Sequence, residues 1–141
     1  MKKLIQLGAL AFLTLMTGLV SLQADHHEES GRVFELRTYT VHPGKLPNLL
    51  ARFRDHTCKI FEKVGMDNIG YWVEMDPAEG EDPKLHYIIA HKSRAAADAS
   101  WEMFKNDPDW KAASAASVVD GKIVKKVDRI YLTAADFSKI K

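Results

Sequence analysis

Residues 33–41, which read VFELRTYTV, constrain the fold of this chain more than any other segment. Their β-branched and aromatic content predicts a strand, and the His42-Pro43-Gly44 that follows is typical of a turn. Side chains alternate between the two faces of a strand. One face would carry Phe34, Leu36 and Thr38, and the other Val33, Glu35, Arg37, Tyr39 and Val41. We interpret the first face as packing and the second as the partly polar wall of a pocket.

A long amphipathic helix is predicted directly after this turn. Its apolar residues recur at steps of three and four, which places them on one helical face. They are Leu46, Leu49, Leu50, Phe53, Ile60, Phe61 and Val64. Pro47 falls in the first turn, where its missing N–H costs little, and Gly65 can end the helix in a left-handed conformation.

The second half of the chain alternates strand and helix signals. Three further strands are predicted at 69–74, 85–91 and 123–133. Ser93 can cap one helix, whose buried side would carry Trp101. Asp107 and Pro108 can start a second, shorter helix that ends near Gly121.

The resulting order, β-α-β-β-α-β, predicts an α+β fold of the ferredoxin-like type. Both helices would cover one face of an antiparallel sheet and leave the other face uncovered. The strands carry more large apolar residues than one face can hold, because successive side chains alternate. These residues are Tyr39, Val41, Trp72, Tyr87, Ile88, Val127 and Tyr131. We therefore expect a homodimer in which two sheets stack face to face and enclose a barrel-like cavity.

Four short motifs carry a resemblance to a known family. They are F-E-L-R-T-Y-T at 34–40, P-G-K-L at 43–46, L-x-x-F-R-D-H at 50–56 and W-x-x-F-x-x-D-P-x-W at 101–110. Together they resemble the NIPSNAP family over roughly residues 33 to 133. The resemblance implies a dimeric α/β barrel. The activity of the family is poorly defined, so the resemblance specifies the fold more closely than the chemistry.

The first 24 residues have the composition of an export signal. Lys2 and Lys3 precede an uncharged apolar run from Leu4 to Val20, and Ala24 offers a small residue at a cleavage site. We expect cleavage after Ala24, a flexible leader at 25–32, a folded domain at 33–133 and a C-terminal tail at 134–141. The mature protein would be periplasmic or secreted, with no stable membrane insertion. An uncleaved membrane anchor is the alternative.

The charge balance bears on the class of partner. Without residues 1–24, the chain carries 18 basic and 19 acidic side chains and is close to neutral. A nucleic-acid-binding surface needs a concentrated excess of Lys and Arg, so we do not expect a nucleic-acid partner. Cys58 is the single cysteine, so the fold holds without an intramolecular disulfide.

The polar side chains of the first strand are the main candidates for a site. One interpretation is that Glu35 and Arg37 form a buried ion pair with a purely structural role. The other is that Glu35 holds the guanidinium of Arg37, which receives an anionic or carbonyl-bearing ligand. The first and last strands are neighbours in this topology, so other side chains can complete the same wall. The predicted ligand-binding set is Glu35, Arg37, Tyr39, Trp72, Arg129 and Tyr131.

Other candidate residues give weaker signals. His86 and His91 lie on opposite faces of their strand and cannot chelate one ion together. His56 borders the apolar stripe of the first helix, and Cys58 points away from the centre of that stripe. We therefore predict no metal site in the domain, identify no cofactor, and treat Cys58 as an unreactive thiol.

The expected new amino terminus carries a separate hypothesis. Cleavage after Ala24 would place His27 third from a free amine, in Asp25-His26-His27. The amine, two amide nitrogens and the imidazole can form a square-planar site for Cu(II). The alternative is that these residues form only a solvated leader.

Three functions remain open at this point. The favoured one is an exported dimer that binds a small planar or anionic molecule in the cavity between its sheets. Related dimeric barrels imply a cofactor-independent oxygenase or a haem-related enzyme, but haem degraders carry an Asn-Trp-His set, whereas this first strand has Glu35, Arg37 and Tyr39. Eukaryotic relatives imply a protein-interaction scaffold as the third possibility.

Overall fold

A computed structural model describes residues 31–141 of the protein. Its strands are β1 (Val33–Val41), β2 (Asp67–Val73), β3 (Lys84–His91) and β4 (Val124–Thr133). Its helices are α1 (Leu46–Arg52), α2 (Cys58–Lys63), α3 (Arg94–Asn106) and α4 (Pro108–Ser117). A π-helical segment, Phe53–Thr57, joins α1 to α2. The predicted export signal, most of the leader and the Asp25-His26-His27 hypothesis lie outside the described residues.

The four strands form one antiparallel sheet in the order β2-β3-β1-β4. This is the predicted ferredoxin-like arrangement, with the first and last strands as neighbours. β1 is central, whereas β4 is an edge strand with most of its residues exposed. Within residues 31–141, no helix has both the length and the apolar character needed to cross a membrane.

The helix ends follow the predicted capping residues. Ser93 Oγ accepts a hydrogen bond from the Ala96 amide at 3.1 Å, as expected for an N-cap. Asp107 caps α4 by accepting from the amides of Asp109 and Trp110. Gly65 follows α2 with φ of +84°, a conformation that glycine adopts without strain. α4 ends at Ser117, before the predicted end near Gly121.

The π-helical segment is a feature that the sequence pattern did not predict. A π turn holds more residues than an α turn, so the helix beyond it is rotated relative to a continuous α-helix. Cys58, the first residue after the segment, is half-buried and packs against the core. The expectation that Cys58 points away from the apolar centre is therefore wrong, because it assumed a regular α-helix.

The core lies between the helices and one face of the sheet. Its centre is the fully buried Tyr87, whose ring packs against Tyr39, Phe53, Phe61 and Tyr71 at centroid distances of 5.1 to 6.1 Å. Aromatic pairs at these distances add to the stabilisation that burial alone provides.

The two faces of β1 are assigned opposite to the sequence interpretation. Glu35 accepts a hydrogen bond from Trp101 of α3, and the Tyr39 ring lies 5.8 Å from that of Phe53. The face that carries Glu35, Arg37 and Tyr39 therefore packs on the helices. Phe34, Leu36 and Thr38 lie on the other face, because neighbours along a strand alternate.

We call that other side the open face of the sheet. Residues directly opposite in an antiparallel pair share a face, so the register assigns its members. Its apolar residues include Leu36, Trp72, Ile88, Ile130 and Leu132. Ile130 is 57% exposed and Trp72 52% exposed. At one end, residues of the tail 134–141 and Phe34 line an apolar pocket of about 370 Å³.

Candidate functional site

Glu35 lies at the centre of a buried polar network on the helix side of the sheet. Its Oε2 accepts hydrogen bonds from Trp101 Nε1 at 2.7 Å and His91 Nε2 at 3.0 Å. Its Oε1 accepts from Arg37 Nη1 at 2.7 Å. Glu35 has no exposed surface. The carboxylate of Glu35 therefore fixes the position of Arg37 from the buried side and does not itself reach solvent.

The electrostatics of this network favour an ionised Glu35. Burial alone raises the pKa of a carboxyl group, but the hydrogen bonds from His91, Trp101 and Arg37 outweigh burial, so the pKa of Glu35 lies below its ordinary value. An ionised Glu35 accepts from Nε2–H of His91, which leaves Nδ1 of that ring unprotonated in the neutral form. Nδ1 is buried and has no hydrogen-bond partner among the described residues.

Arg37 lies between this network and the surface. Its side chain is 11% exposed, and its guanidinium carbon lies 4.2 Å from the centroid of the Trp101 ring and 5.7 Å from that of Tyr39. Nε of Arg37 is buried without a partner among the described residues. Glu35 thus fixes Nη1 of the guanidinium, and Nε remains available to donate a hydrogen bond.

β4 brings two more of the predicted residues to the same side. Arg129 lies directly opposite Arg37, and Tyr131 directly opposite Glu35. Arg94 of α3 stacks over the Tyr131 ring at 4.0 Å. Burial, and then the charge of Glu35, raise the pKa of Tyr131 above its ordinary value, so its hydroxyl stays protonated. That hydroxyl oxygen is buried with no partner among the described residues.

Five of the six predicted residues therefore come together. We use the name β4 cleft for the group of side chains on the helix side of β4 beside α3, which consists of Arg37, Trp101, Tyr131 and the exposed Arg129, with Tyr39 at its border. The expectation that these five residues line a cavity between two stacked sheets is wrong, because they lie on the side of the sheet that the helices cover.

Trp72 is the predicted residue that does not join this group. It lies opposite His86 on the open face, together with Gly70. Near it, Thr38 Oγ1 lies 3.0 Å from His86 Nδ1, and His86 Nε2 lies 3.0 Å from Glu74 Oε1. The sheet separates this polar group from the β4 cleft, so one small ligand cannot contact both.

Three relevant residues were not recognised as site residues from the sequence. The sequence pattern predicts helix packing for Trp101, and in the structure its indole N–H also donates to Glu35. The sequence spacing tests His91 only as a metal ligand and does not indicate its contact with Glu35. Arg52 gives only a weak signal in the sequence, because it lies about 60° beyond Leu49, outside the apolar stripe of a regular α-helix. His56, by contrast, lies exposed in a groove between the π-helical segment and α4. Within residues 31–141, no group of three or more His, Cys, Asp or Glu is arranged to hold a metal ion.

Solved structures with the same fold come from several bacteria. A NIPSNAP family protein of unknown function from Agrobacterium tumefaciens is 21% identical with a TM-score of 0.66, and the match covers 82% of this chain and 99% of that one. An uncharacterised NIPSNAP-like domain protein from Burkholderia xenovorans is 16% identical with a TM-score of 0.65, covering 77% and 90%. A second protein from that organism, with a NIPSNAP domain, is 23% identical with a TM-score of 0.62, covering 75% and 97%.

The family model gives the assignment directly. Among curated proteins, none matches this chain at a significant level. The model of the NIPSNAP family matches residues 34–139, which is most of the chain and the whole of the described sheet except Val33. The chain belongs to the NIPSNAP family.

Proposed function

We propose that this NIPSNAP protein is an exported homodimer that binds a small anionic molecule with a planar body in the β4 cleft of each subunit. Arg129 and Tyr131 contact the ligand, and Arg37 forms the floor of the cleft. The observation that carries the proposal is the placement of Arg37 and Arg129 directly opposite each other on the same side of the sheet.

The charges in the cleft favour an anion. Like charges directly opposite each other on paired strands are destabilising. Glu35 binds Arg37, but among the described residues no carboxylate forms a salt bridge with Arg129. Arg94, at the edge of the cleft, is paired with Asp98. The guanidinium of Arg129 is thus left without a carboxylate partner, and a bound anion would supply the missing negative charge.

The walls of the cleft favour a planar ligand. The rings of Tyr39 and Trp101 lie beside the guanidinium of Arg37, and the ring of Tyr131 lies under that of Arg94. Guanidinium groups stack on flat π systems, including those of a ligand. The Tyr131 hydroxyl is protonated and can donate a hydrogen bond to a carboxylate. This combination matches the usual anatomy of a small-molecule site, in which apolar walls surround a few polar groups.

The geometry favours binding over catalysis. General acid–base chemistry needs a titratable group within hydrogen-bond reach of the substrate. The carboxylate and imidazole closest to the cleft, Glu35 and His91, are both fully buried and bonded to each other. His86 faces the opposite side of the sheet. The groups left to contact a ligand are guanidinium groups and phenols, which orient an anion.

A matched pair of probe ligands tests this function. We expect 2-naphthoate to bind the purified protein in isothermal titration calorimetry, and neutral 2-naphthamide to bind much more weakly. Arg129→Met should weaken naphthoate binding by about 10- to 100-fold, the value of one hydrogen bond to a charged group. Arg54→Met is the control, since Arg54 is exposed on the π-helical segment. Equal binding of the two probes, or an equal effect of the two substitutions, would refute the proposal.

A further inference from the structure

Arg52 is a buried guanidinium without a carboxylate partner. It lies at the end of α1, is 8% exposed, and among the described residues forms no salt bridge. Nη1 donates to Ser117 Oγ at 3.1 Å, and Nε is buried with no partner among those residues. The guanidinium carbon lies 5.2 Å from the centroid of the Trp110 ring.

This environment is unfavourable for an isolated charge. Burial of an unpaired charge costs far more than one neutral hydrogen bond returns. A cation–π contact offsets only part of such a cost. Desolvation accordingly lowers the pKa of Arg52, and the opposing influence of the Tyr39 and Tyr87 phenols does not reverse that shift. A bound anion is the partner that this guanidinium lacks.

Arg52 also lines a pocket that can admit such an anion. The pocket has a volume of about 280 Å³ and lies between α4 and the edge strand β4. Its other walls include Tyr39, Trp110, Ile123, Val124 and Val127, with the exposed Lys122 also lining it. Its volume lies just below the usual range for ligand pockets, which suits a small ligand, and its walls are mainly aliphatic and aromatic.

We propose that Arg52 anchors the carboxylate of a small aliphatic acid, whose hydrocarbon chain packs against Trp110, Val124 and Val127. This site goes beyond the proposed function. Tyr39 separates it from the β4 cleft, and its anchoring residue is Arg52 and not Arg129. Arg52 provides a single guanidinium anchor, which suits a monocarboxylate, and the aliphatic walls distinguish this ligand class from the planar anions of the cleft.

Hexanoate and its neutral counterpart hexanamide test this site. We expect hexanoate, but not hexanamide, to bind the purified protein by calorimetry. Arg52→Met should weaken hexanoate binding by about 10-fold or more, the value of a charge-assisted hydrogen bond. Lys111→Met, on the exposed side of α4, is the matched control and should leave binding unchanged. Arg129→Met should also retain hexanoate, which separates this site from the β4 cleft.

Two further readouts keep the test decisive. Without added ligand, the Arg52→Met variant should have the same melting temperature as the wild-type protein or a higher one. The reason is that an apolar side chain replaces a buried, unpaired charge. In the unmodified protein, the Nε–H resonance of Arg52 should shift when hexanoate is added. Absence of that shift, or equal hexanoate affinity of wild type and Arg52→Met, would overturn the proposal.

Discussion

Glu35→Gln is expected to lower the free energy of unfolding by about 3 to 5 kcal/mol, the usual result of breaking a buried charge pair. Both carboxylate oxygens of Glu35 accept hydrogen bonds, from Arg37 on one side and from His91 and Trp101 on the other. An amide has one acceptor atom and one donor group, so one set of these donors would face an N–H₂. Arg37 would also lose its buried counter-charge.

Chemical denaturation followed by circular dichroism measures this change. Glu102→Gln is the control, since Glu102 pairs with Lys105 on the exposed surface of α3. A surface pair of this kind contributes little, so the control should change stability by less than about 1 kcal/mol. Equal losses in the two variants would show that the buried network is not a stabilising element.

The same network makes stability depend on pH in a defined direction. The pKa of Glu35 is lower in the folded protein than its ordinary value of 4.5. Its contribution to stability is therefore complete above pH 4.5 and is lost as the pH falls through the lowered folded value. Denaturation curves across this acidic range should show a smaller loss for Glu35→Gln than for wild type. Parallel pH profiles would contradict the assignment of a low pKa to this carboxyl.

Dimerisation through the open face is the second large effect expected. Ile130 projects from the edge strand at 57% exposure, beside Leu36 and Leu132, on a face where several large apolar side chains are exposed. Exposed apolar surface of this kind is typical of an interface. The wild-type protein should sediment as a dimer, and Ile130→Lys as a monomer, because each subunit would bury an unpaired ammonium group at the interface. We expect dimer affinity to fall at least about 100-fold, or roughly 3 kcal/mol.

Met103→Lys provides the matched control for this experiment. Met103 is 52% exposed but lies on α3, away from the open face. Its substitution should leave the dimer intact. A wild-type protein that stays folded and monomeric at micromolar concentration would refute the face-to-face arrangement, as would a dimer unaffected by Ile130→Lys.

Much of the fold was predictable because its signals are local. Ser93 and Asp107 cap the helices as their residue types indicate, and Gly65 ends α2. The β-α-β-β-α-β order then restricts the topology, and it correctly places β1 beside β4. These features depend on neighbours in sequence and on general rules of chain connection.

The orientation of β1 could not be obtained in the same way. A Glu-x-Arg pair on one face of a strand resembles an exposed or cavity-lining surface, whereas here it is buried. Burial depends on the indole of Trp101 and the imidazole of His91, which the fold brings from 66 and 56 residues away. No periodicity within β1 indicates those donors.

The π-helical segment shows a second limit of sequence patterns. Its extra residue per turn changes which side chains face the core, and Thr57 donates to the Arg52 carbonyl within this irregular turn. The apolar spacing of the first helix fits a regular α-helix equally well. A regular α-helix therefore misplaces Cys58.

Native mass spectrometry of the protein purified with its natural ligand tests the central claim most directly. The β4 cleft should retain one small acidic molecule per subunit in wild type and in Arg54→Met, and Arg129→Met should be free of it. A wild-type protein without bound ligand, or the same bound mass in all three proteins, would contradict a ligand held by Arg129 in the β4 cleft.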